Sequence, residues 1–149
     1  MAWNQEGQTS ITRKILQWLN QSPVLPEGID AVRYETLGQD TLGQDTACMA
    51  LSLVQEAYAV RRYIVGGYRA EYQFRLIYRI KPEGDMEKRL QADEALDRVG
   101  AWASSQKPDL GEPLHVLKVE QTARASLFAA HENGDEEHQI LMKIIYEVM

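Results

Sequence analysis

Histidine and carboxylate side chains crowd into one stretch of the sequence, at His131, Glu132, Asp135, Glu136, Glu137 and His138. A zinc-binding His-Glu-x-x-His helix needs two ligands one helical turn apart. Here Asp135 replaces the second histidine, and Asn133-Gly134 would break the helix. Across a hairpin, His131 and Glu136 could face each other and hold a cation adventitiously. A solvated hairpin tip is favoured because the ligand set is not closed, so we expect no metal and no cofactor.

Covalent and acid–base catalysis also lack a supporting pattern. Cys48 lies in an apolar, alternating segment, where burial makes a thiol inert. No Gly-x-Ser-x-Gly segment presents a serine. Gly38 and Gly43 have the spacing of a phosphate loop but lack the Lys-Ser/Thr pair that phosphate requires. Glu136 and Glu137 would point to opposite faces of a strand, which separates them as an acid/base pair. We therefore expect no enzymatic activity and no catalytic residues.

The composition restricts the function further. The 149 residues include 16 Lys+Arg and 22 Asp+Glu, for a formal net charge of -6. This length predicts a single domain over residues 1–149 that needs no metal or disulfide to hold its core. The acidic balance argues against a general nucleic-acid binder. Uncharged runs are too short to cross a membrane and residues 1–7 do not resemble a signal peptide, so we expect a soluble protein.

Apolar residues at helical spacing predict two helices. The first covers residues 10–20, with Thr9 or Ser10 as N-cap, and the second begins at Gly84 or Asp85 and ends at Ser104. Their core-facing residues are predicted to be Ile11, Ile15, Trp18 and Leu19 in the first helix, and Met86, Leu90, Leu96, Val99, Trp102 and Ala103 in the second. Trp18 and Trp102 are interpreted as core anchors, whereas Trp3 lies in a polar tail.

Strict alternation of apolar and polar residues predicts a long, half-buried antiparallel strand over residues 68–80. An Asn133-Gly134 turn predicts a hairpin before the last strand. Residues 37–46 repeat Leu-Gly-Gln-Asp-Thr twice and predict a long loop. The other predicted strands are 29–36, 47–58, 114–123, 126–130 and 138–148, although a helix over 47–58 is an alternative. The element order predicts an α+β fold, with an antiparallel-dominated sheet of four to five strands and two helices packed on one face.

The sequence resembles the tail-terminator or minor capsid proteins of long-tailed bacteriophages and prophages, particularly those of Gram-positive hosts. The resemblance covers residues 11–146 and rests on ordered features. These are the helix from Ile11 to Leu19 before Pro23, the strand Arg33-Tyr34-Glu35, the aromatic strand 72–79, the helix with Leu90, Leu96 and Trp102, the strand 119–122, the Glu132-Asn133-Gly134 hairpin and the terminal Tyr146-Glu147.

The resemblance implies a small α+β protomer that assembles as a ring, with six copies as the expected number. The ring would cap the tail tube, terminate tail polymerisation and form the head–tail joining surface. It implies three protein partners: the chain itself, the tail tube protein and a head-completion protein. DNA would only pass through the lumen, and no membrane would be involved. We expect the protein in the host cytoplasm during assembly and then at the head–tail junction of the virion.

Loops between paired strands are natural ring contacts, because they can order against a neighbour while the sheet stays rigid. We expect them at residues 37–46, 58–67 and 131–137. Arg61, Arg62 and Tyr63 are the expected anchors, since Arg and Tyr are enriched at interfaces. The other expected interface residues are Gln39, Asp40, Gln44, Asp45, Glu132 and Asn133.

Other functions remain open at the level of sequence. A different head- or tail-completion protein of the same architecture would show the same order of elements. A non-viral peptide-binding adaptor could use an exposed sheet edge. A small α+β enzyme is the third alternative, because a missing motif is weak grounds for excluding catalysis. Ring formation would separate the first class from a monomeric adaptor, and a deep polar pocket would favour an enzyme.

Overall fold

A computed structural model describes residues 2–26, 28–29, 31–34 and 48–149, with the backbone alone at 2–10 and 55–60. The elements in chain order are α1 (Ala2–Leu19), β1 (Val32–Tyr34), β2 (Cys48–Arg62), β3 (Tyr68–Ile80), α2 (Met86–Ser104), β4 (Leu114–Ala130) and β5 (Glu136–Val148). Within these residues the strands form one sheet in the order β1-β2-β3-β5-β4. β1 is parallel to β2, and all other pairs are antiparallel. The predicted α+β class is confirmed.

β3 is the central strand of the sheet and has the bounds that its alternation predicts. Tyr72 and Phe74 are fully buried on the face that meets the helices, whereas Glu71 and Gln73 point to the other face and are half-buried. Hydrogen bonding to β2 on one side and β5 on the other leaves no free backbone edge along β3. The backbone groups of β3 are therefore paired along both edges, and β3 positions the strands on either side of it.

Both helices pack on the same face of the sheet and share one core with it. Ile11 and Ile15 of α1 and Leu96 and Val99 of α2 are almost completely buried. Removing each such side chain from water contributes about 1.5–3 kcal/mol. The rings of Trp18 and Trp102 stack with their centroids 5.4 Å apart, which joins the helices and confirms the prediction that both tryptophans are core anchors.

The start of α1 differs from the prediction. The helix begins at Ala2, so Thr9 and Ser10 lie inside it rather than capping it, and Trp3 belongs to a helix rather than to a tail. The polar stretch before Ile11 contains no proline, and Gln, Glu and Ala tolerate helical geometry. α2 starts as predicted, with Asp85 as N-cap accepting a 2.9 Å hydrogen bond from the Glu87 backbone N–H.

The prediction that Met86 and Leu90 face the core is wrong. They are 68% and 49% exposed, although both have the helical spacing of a buried stripe. The buried positions of α2 begin only at Ala92, so the first two turns present their apolar residues to solvent. The periodicity gives the angle at which a side chain leaves the helix but not the point at which the helix first reaches the sheet.

Several strand ends also differ from prediction. β1 begins at Val32 rather than at residue 29, and β2 continues to Arg62 instead of ending near residue 58. Residues 58–62 are therefore strand, not loop. Residues 35 and 36 of the predicted first strand lie outside the described residues. The predicted strands 114–123 and 126–130 form one element, β4, because shifts in register absorb the breaks in alternation. The repeat at residues 37–46 lies outside the described residues.

The turn between β4 and β5 spans residues 131–135 and is longer than a two-residue Asn-Gly hairpin. Gly134 has a φ of 96°, and its backbone N–H donates to His131 O at 3.0 Å. Asn133 keeps a negative φ and accepts the Asp135 backbone N–H through its side-chain oxygen at 3.1 Å. The predicted hairpin is therefore present, with Gly134 as its left-handed residue and Asn133 as a side-chain acceptor. Neither helix in the described part of the chain is long and apolar enough to span a membrane.

Candidate protein-interaction site

The loop that connects β2 to β3, residues 63–67, is called the tip loop below. Its two ends are closed by a hydrogen bond from the Tyr63 backbone N–H to Gly67 O at 3.2 Å, and the Gly66 N–H donates to Tyr63 O at the same distance. Gly66 and Gly67 have φ values of 94° and 79°, which side chains other than glycine rarely adopt. Only a Gly-Gly pair makes this reversal without strain.

The tip loop is also fastened to the end of β5. The Tyr63 hydroxyl donates to Glu147 Oε2 at 3.2 Å. Partial burial and this carboxylate together raise the pKa of Tyr63. A Cβ on Gly67 would lie 2.3 Å from Val148 O, so the loop backbone packs directly against the neighbouring strand. These contacts join the tip loop to the end of β5.

The loop presents two branched aliphatic side chains to solvent. Ile64 is 104% exposed and Val65 is 86% exposed, and such side chains are usually buried. Arg61 and Arg62, at the end of β2, are exposed beside them. Arg62 lies over the Tyr68 ring, 5.7 Å from its centroid, which fixes its direction. The predicted anchors Arg61, Arg62 and Tyr63 therefore lie next to the exposed side chains of Ile64 and Val65.

Sequence reasoning missed Ile64 and Val65. The two residues lie within 58–67, which the sequence predicts to be an interface loop, but residue type singled out Arg61, Arg62 and Tyr63 because aliphatic side chains are usually buried. The available signal was Gly66-Gly67, which predicts a reversal immediately after them. An apolar pair directly before a glycine turn is therefore a candidate exposed tip.

The remaining predicted interface residues lie elsewhere. Glu132 and Asn133 are exposed in the turn between β4 and β5. In the pairing of β3 with β5, Tyr68 is opposite Val148 and Ile80 is opposite Glu136. The tip loop and the 131–135 turn are therefore at opposite ends of the sheet. Gln39, Asp40, Gln44 and Asp45 lie outside the described residues.

The solvated hairpin tip that we predicted extends only to Gly134, because residues 135–138 are buried. Arg79 of β3 donates to Glu137 Oε1 at 2.8 Å, and both side chains are nearly inaccessible. His131 Nε2 lies 3.1 Å from Arg79 Nη2 and 3.2 Å from Glu137 Oε1. The cluster is thus a set of internal ion pairs. Among the described residues, no group of three His, Cys, Asp or Glu side chains is placed to hold a metal ion.

Glu136 points to the opposite face of β5 from Glu137, as predicted. Its carboxylate accepts hydrogen bonds from Arg89 Nε at 3.0 Å and lies 3.1 Å from His138 Nε2. The Arg89 guanidinium is the main reason that the pKa of Glu136 is lowered, with His138 adding to the effect against the penalty of burial. Glu136 therefore joins β5 to α2 and does not face His131 across the hairpin.

The helix-free face of the sheet carries charges of both signs. Lys143 Nζ lies 3.2 Å from Glu120 Oε1 and 3.8 Å from Glu71 Oε2. Hydrogen bonds from Lys118 and Lys143 lower the pKa of Glu120. Arg75 lies over the Phe128 ring at 4.9 Å. This face is of mixed charge and is not a continuous basic surface of the kind that nucleic-acid binding requires.

A cleft of about 520 Å³ lies between α2 and the end of β3. Ala92 and Ala95 of α2 face Tyr78 and Ile80 of β3 inside it, and the charged residues at its margin are Lys81, Glu83, Lys88, Glu94 and Arg98. Burial raises the pKa of Tyr78. The described lining contains no His, Cys or Ser that could pair with a base as a nucleophile. Cys48 is buried elsewhere, as predicted.

Comparison with known proteins identifies a shared fold. No protein-family model and no curated protein sequence matches the chain. Its structure is similar to that of a chain in the virion of a native gene transfer agent particle, with a TM-score of 0.62 and 13% sequence identity. The similarity covers 92% of this chain and 94% of that chain. A second solved chain overlaps at a TM-score of 0.42, too low to support an argument.

Proposed function

We propose that the protein is a structural component of a tailed phage or phage-like virion, with no catalytic activity. The supporting observation is that nearly its whole length shares a fold with a chain of the gene transfer agent virion. The sequence independently resembles phage tail terminators over residues 11–146. Two different lines of reasoning thus favour the same class of protein.

Within the virion, we assign the protein to the end of the tail tube. Copies of the chain, six in number, form a ring there that terminates tail polymerisation and offers the surface that joins the head. Its partners are the tail tube protein on one side and a head-completion protein on the other, and DNA passes through the lumen. It assembles in the host cytoplasm and remains at the head–tail junction.

The distribution of polar groups supports a role in protein recognition. The buried charges of the sheet have internal partners: Arg79 of β3 bonds to Glu137 of β5, and Glu136 of β5 bonds to Arg89 of α2. The exposed features lie instead at the ends of a rigid sheet, where the tip loop presents Ile64 and Val65 beside two arginines. Rigid elements that carry exposed Arg, Tyr and aliphatic side chains are typical of protein interfaces.

Electron microscopy of the purified protein, alone and with polymerising tail tubes, tests the proposal. We expect six-fold rings and tubes that carry a ring at one end and stop lengthening when the protein is added. A protein that remains monomeric at high concentration in the presence of tubes, and leaves their elongation unchanged, would contradict the ring-capping function.

Another head- or tail-completion role is the second candidate. It is supported by the same comparison, because the similar chain belongs to a whole virion particle and many virion positions require such a protein. Incubating the labelled protein with separated tails and with DNA-filled heads distinguishes the two. Binding to tail ends supports the terminator role, whereas binding to heads alone supports a head-completion role.

A further inference from the structure

The residues beside the tip loop and those at the start of α2 carry opposite exposed charge. At the tip end, Arg61 and Arg62 are exposed, and the nearby Glu147 already accepts a hydrogen bond from Tyr63. At the other end, four exposed carboxylates surround the start of α2 and the 131–135 turn, with the exposed Lys88 among them; they are Glu83, Asp85, Glu87 and Glu132.

Cations at this second end are largely committed to internal pairs. Arg79 bonds to Glu137 and Arg89 to Glu136 at 2.8 Å, and Lys81 lies 3.8 Å from Asp135. The two arginines therefore have buried carboxylates as partners and do not pair with the exposed carboxylates near α2. Around Met86 the exposed carboxylates outnumber the exposed Lys88, whereas the exposed charges that directly precede the tip loop are those of Arg61 and Arg62.

Each end also presents a pair of exposed aliphatic side chains. Ile64 and Val65 project from the tip loop, and Met86 and Leu90 lie four residues apart on α2, so they form one stripe on the helix. Met86 and Leu90, together with Glu83 and Glu87, are called the α2 strip below. An apolar centre with a charged rim is the usual composition of a protein–protein contact.

We infer that the tip loop of one copy docks on the α2 strip of the next copy. Ile64 and Val65 pack against Met86 and Leu90. Arg61 and Arg62, which leave opposite faces of β2, flank this contact and reach Glu83 and Glu87 from its two sides. This inference rests on the proposed ring, since it names the contact between ring neighbours. It explains why the exposed aliphatic pairs occur at both ends and why their charged rims have opposite sign.

The contact must join different copies. β3 has 13 residues, so at about 3.3 Å per residue its two ends lie about 40 Å apart. The tip loop precedes β3 and the α2 strip follows it, which keeps the two surfaces of one chain apart. A contact between two different patches is heterologous, and it closes into a ring when the rotation between neighbours divides a full turn.

Disulfide trapping tests the contact. Val65→Cys and Leu90→Cys are placed in separate, differently tagged chains, mixed at ring-forming concentration and oxidised; the native Cys48 is buried. We expect heterodimers linked between the two tags, because a disulfide requires Cα atoms within about 7 Å. The matched control replaces Leu90→Cys by Ala101→Cys, an exposed position further along the same helix, and should give no such product.

Charge reversal provides an independent readout. Arg61→Glu with Arg62→Glu, or Glu83→Lys with Glu87→Lys, should each weaken self-association by about tenfold or more. Mixing the two reversed proteins should restore association, which only direct pairing of these surfaces explains. Six-fold rings that form without V65C–L90C linkage and without charge rescue would overturn the contact and leave the ring intact. Absence of any self-association, with or without tubes, would overturn both.

Discussion

The imidazole ring of His138 lies between two carboxylates, with Nδ1 2.7 Å from Asp93 Oδ1 and Nε2 3.1 Å from Glu136 Oε1. Asp93 belongs to α2 and Glu136 to β5, so the ring ties the helix to the sheet. Leu127 of β4 and Tyr78 of β3 are the residues paired with His138 on its two sides. The two contacts therefore connect α2 to a strand that is itself hydrogen-bonded on both sides.

Replacing His138 with Ala is expected to lower the free energy of unfolding by about 3 kcal/mol. The side chain is almost completely buried, so its removal leaves a cavity and takes a hydrogen-bond partner from Asp93 and from Glu136. Urea denaturation followed by circular dichroism measures the change. His115, which is exposed on β4, provides the matched control, and H115A should change the stability by less than about 0.5 kcal/mol. Equal effects of the two substitutions would show that the bridge contributes nothing.

Stability should fall on acidification, partly because of Glu136. Hydrogen bonding to Arg89 lowers the pKa of Glu136 in the folded protein, so the unfolded chain binds a proton at higher pH than the folded one. Its contribution is therefore complete above the ordinary Glu pKa of about 4.3 and is lost as the pH falls through the lower folded value. Denaturation midpoints between about pH 6 and pH 3 measure this, and E136Q should show a shallower decline than the native protein. Parallel curves for the two proteins would refute the role of Glu136.

Alanine at position 100 should destabilise the protein even though alanine favours helices. A Cβ on Gly100 would lie 2.3 Å from Gln121 Oε1. The Gln121 side chain cannot swing away freely, because its Nε2 donates to Asp97 Oδ1 at 2.8 Å and to Ala123 O at 3.1 Å. G100A is expected to lower the free energy of unfolding by about 1–2 kcal/mol.

The Gln121→Ala background separates crowding from helix propensity. With the obstructing amide removed, G100A should raise stability by up to about 1 kcal/mol, the usual gain from replacing glycine within a helix. Thermal denaturation of the four proteins in this cycle gives the coupling between the two positions. A destabilising effect of equal size in both backgrounds would exclude Gln121 as its cause.

The elements with one strong pattern were predictable from sequence. β3 has its predicted bounds because alternation over 13 residues fits only a period of two. The sequence predicts two strands where the structure has β4, because shifts in register interrupt the alternation of apolar and polar residues. The pairing of β5 with both halves of β4 makes them one strand, and no local sequence pattern indicates that pairing. The parallel pairing of β1 with β2 depends on chain segments distant in sequence, which residue patterns do not specify.

The candidate site was only partly predictable. Arg61, Arg62 and Tyr63 were identified by residue type, but the choice of Met86 and Leu90 as core residues hid the apolar stripe on α2. Burial depends on where a helix meets the sheet, which is a tertiary property. The ion pairs at Glu136 and Glu137 were likewise missed, because Arg89 and Arg79 lie 47 and 58 residues away in the sequence.

Replacing Arg61 and Arg62 with Ala should weaken ring formation or tube capping while the protomer remains folded. Both side chains are exposed at the end of β2, so their removal should change the free energy of unfolding by about 0.5 kcal/mol or less apiece. Their loss at an interface removes two charge-assisted contacts and should shift the concentration for half-assembly upward by about tenfold.

Size-exclusion chromatography with light scattering measures that shift, and circular dichroism verifies the fold. The double variant R13A/R124A is the matched control, because it removes the same charge from two exposed arginines on α1 and β4. If assembly depends on the local contact, the control should assemble as the native protein does. Equal weakening in both variants would assign the effect to net charge. Unchanged assembly of R61A/R62A would remove these arginines from the interface. Either result would contradict a tip loop that binds through Arg61 and Arg62.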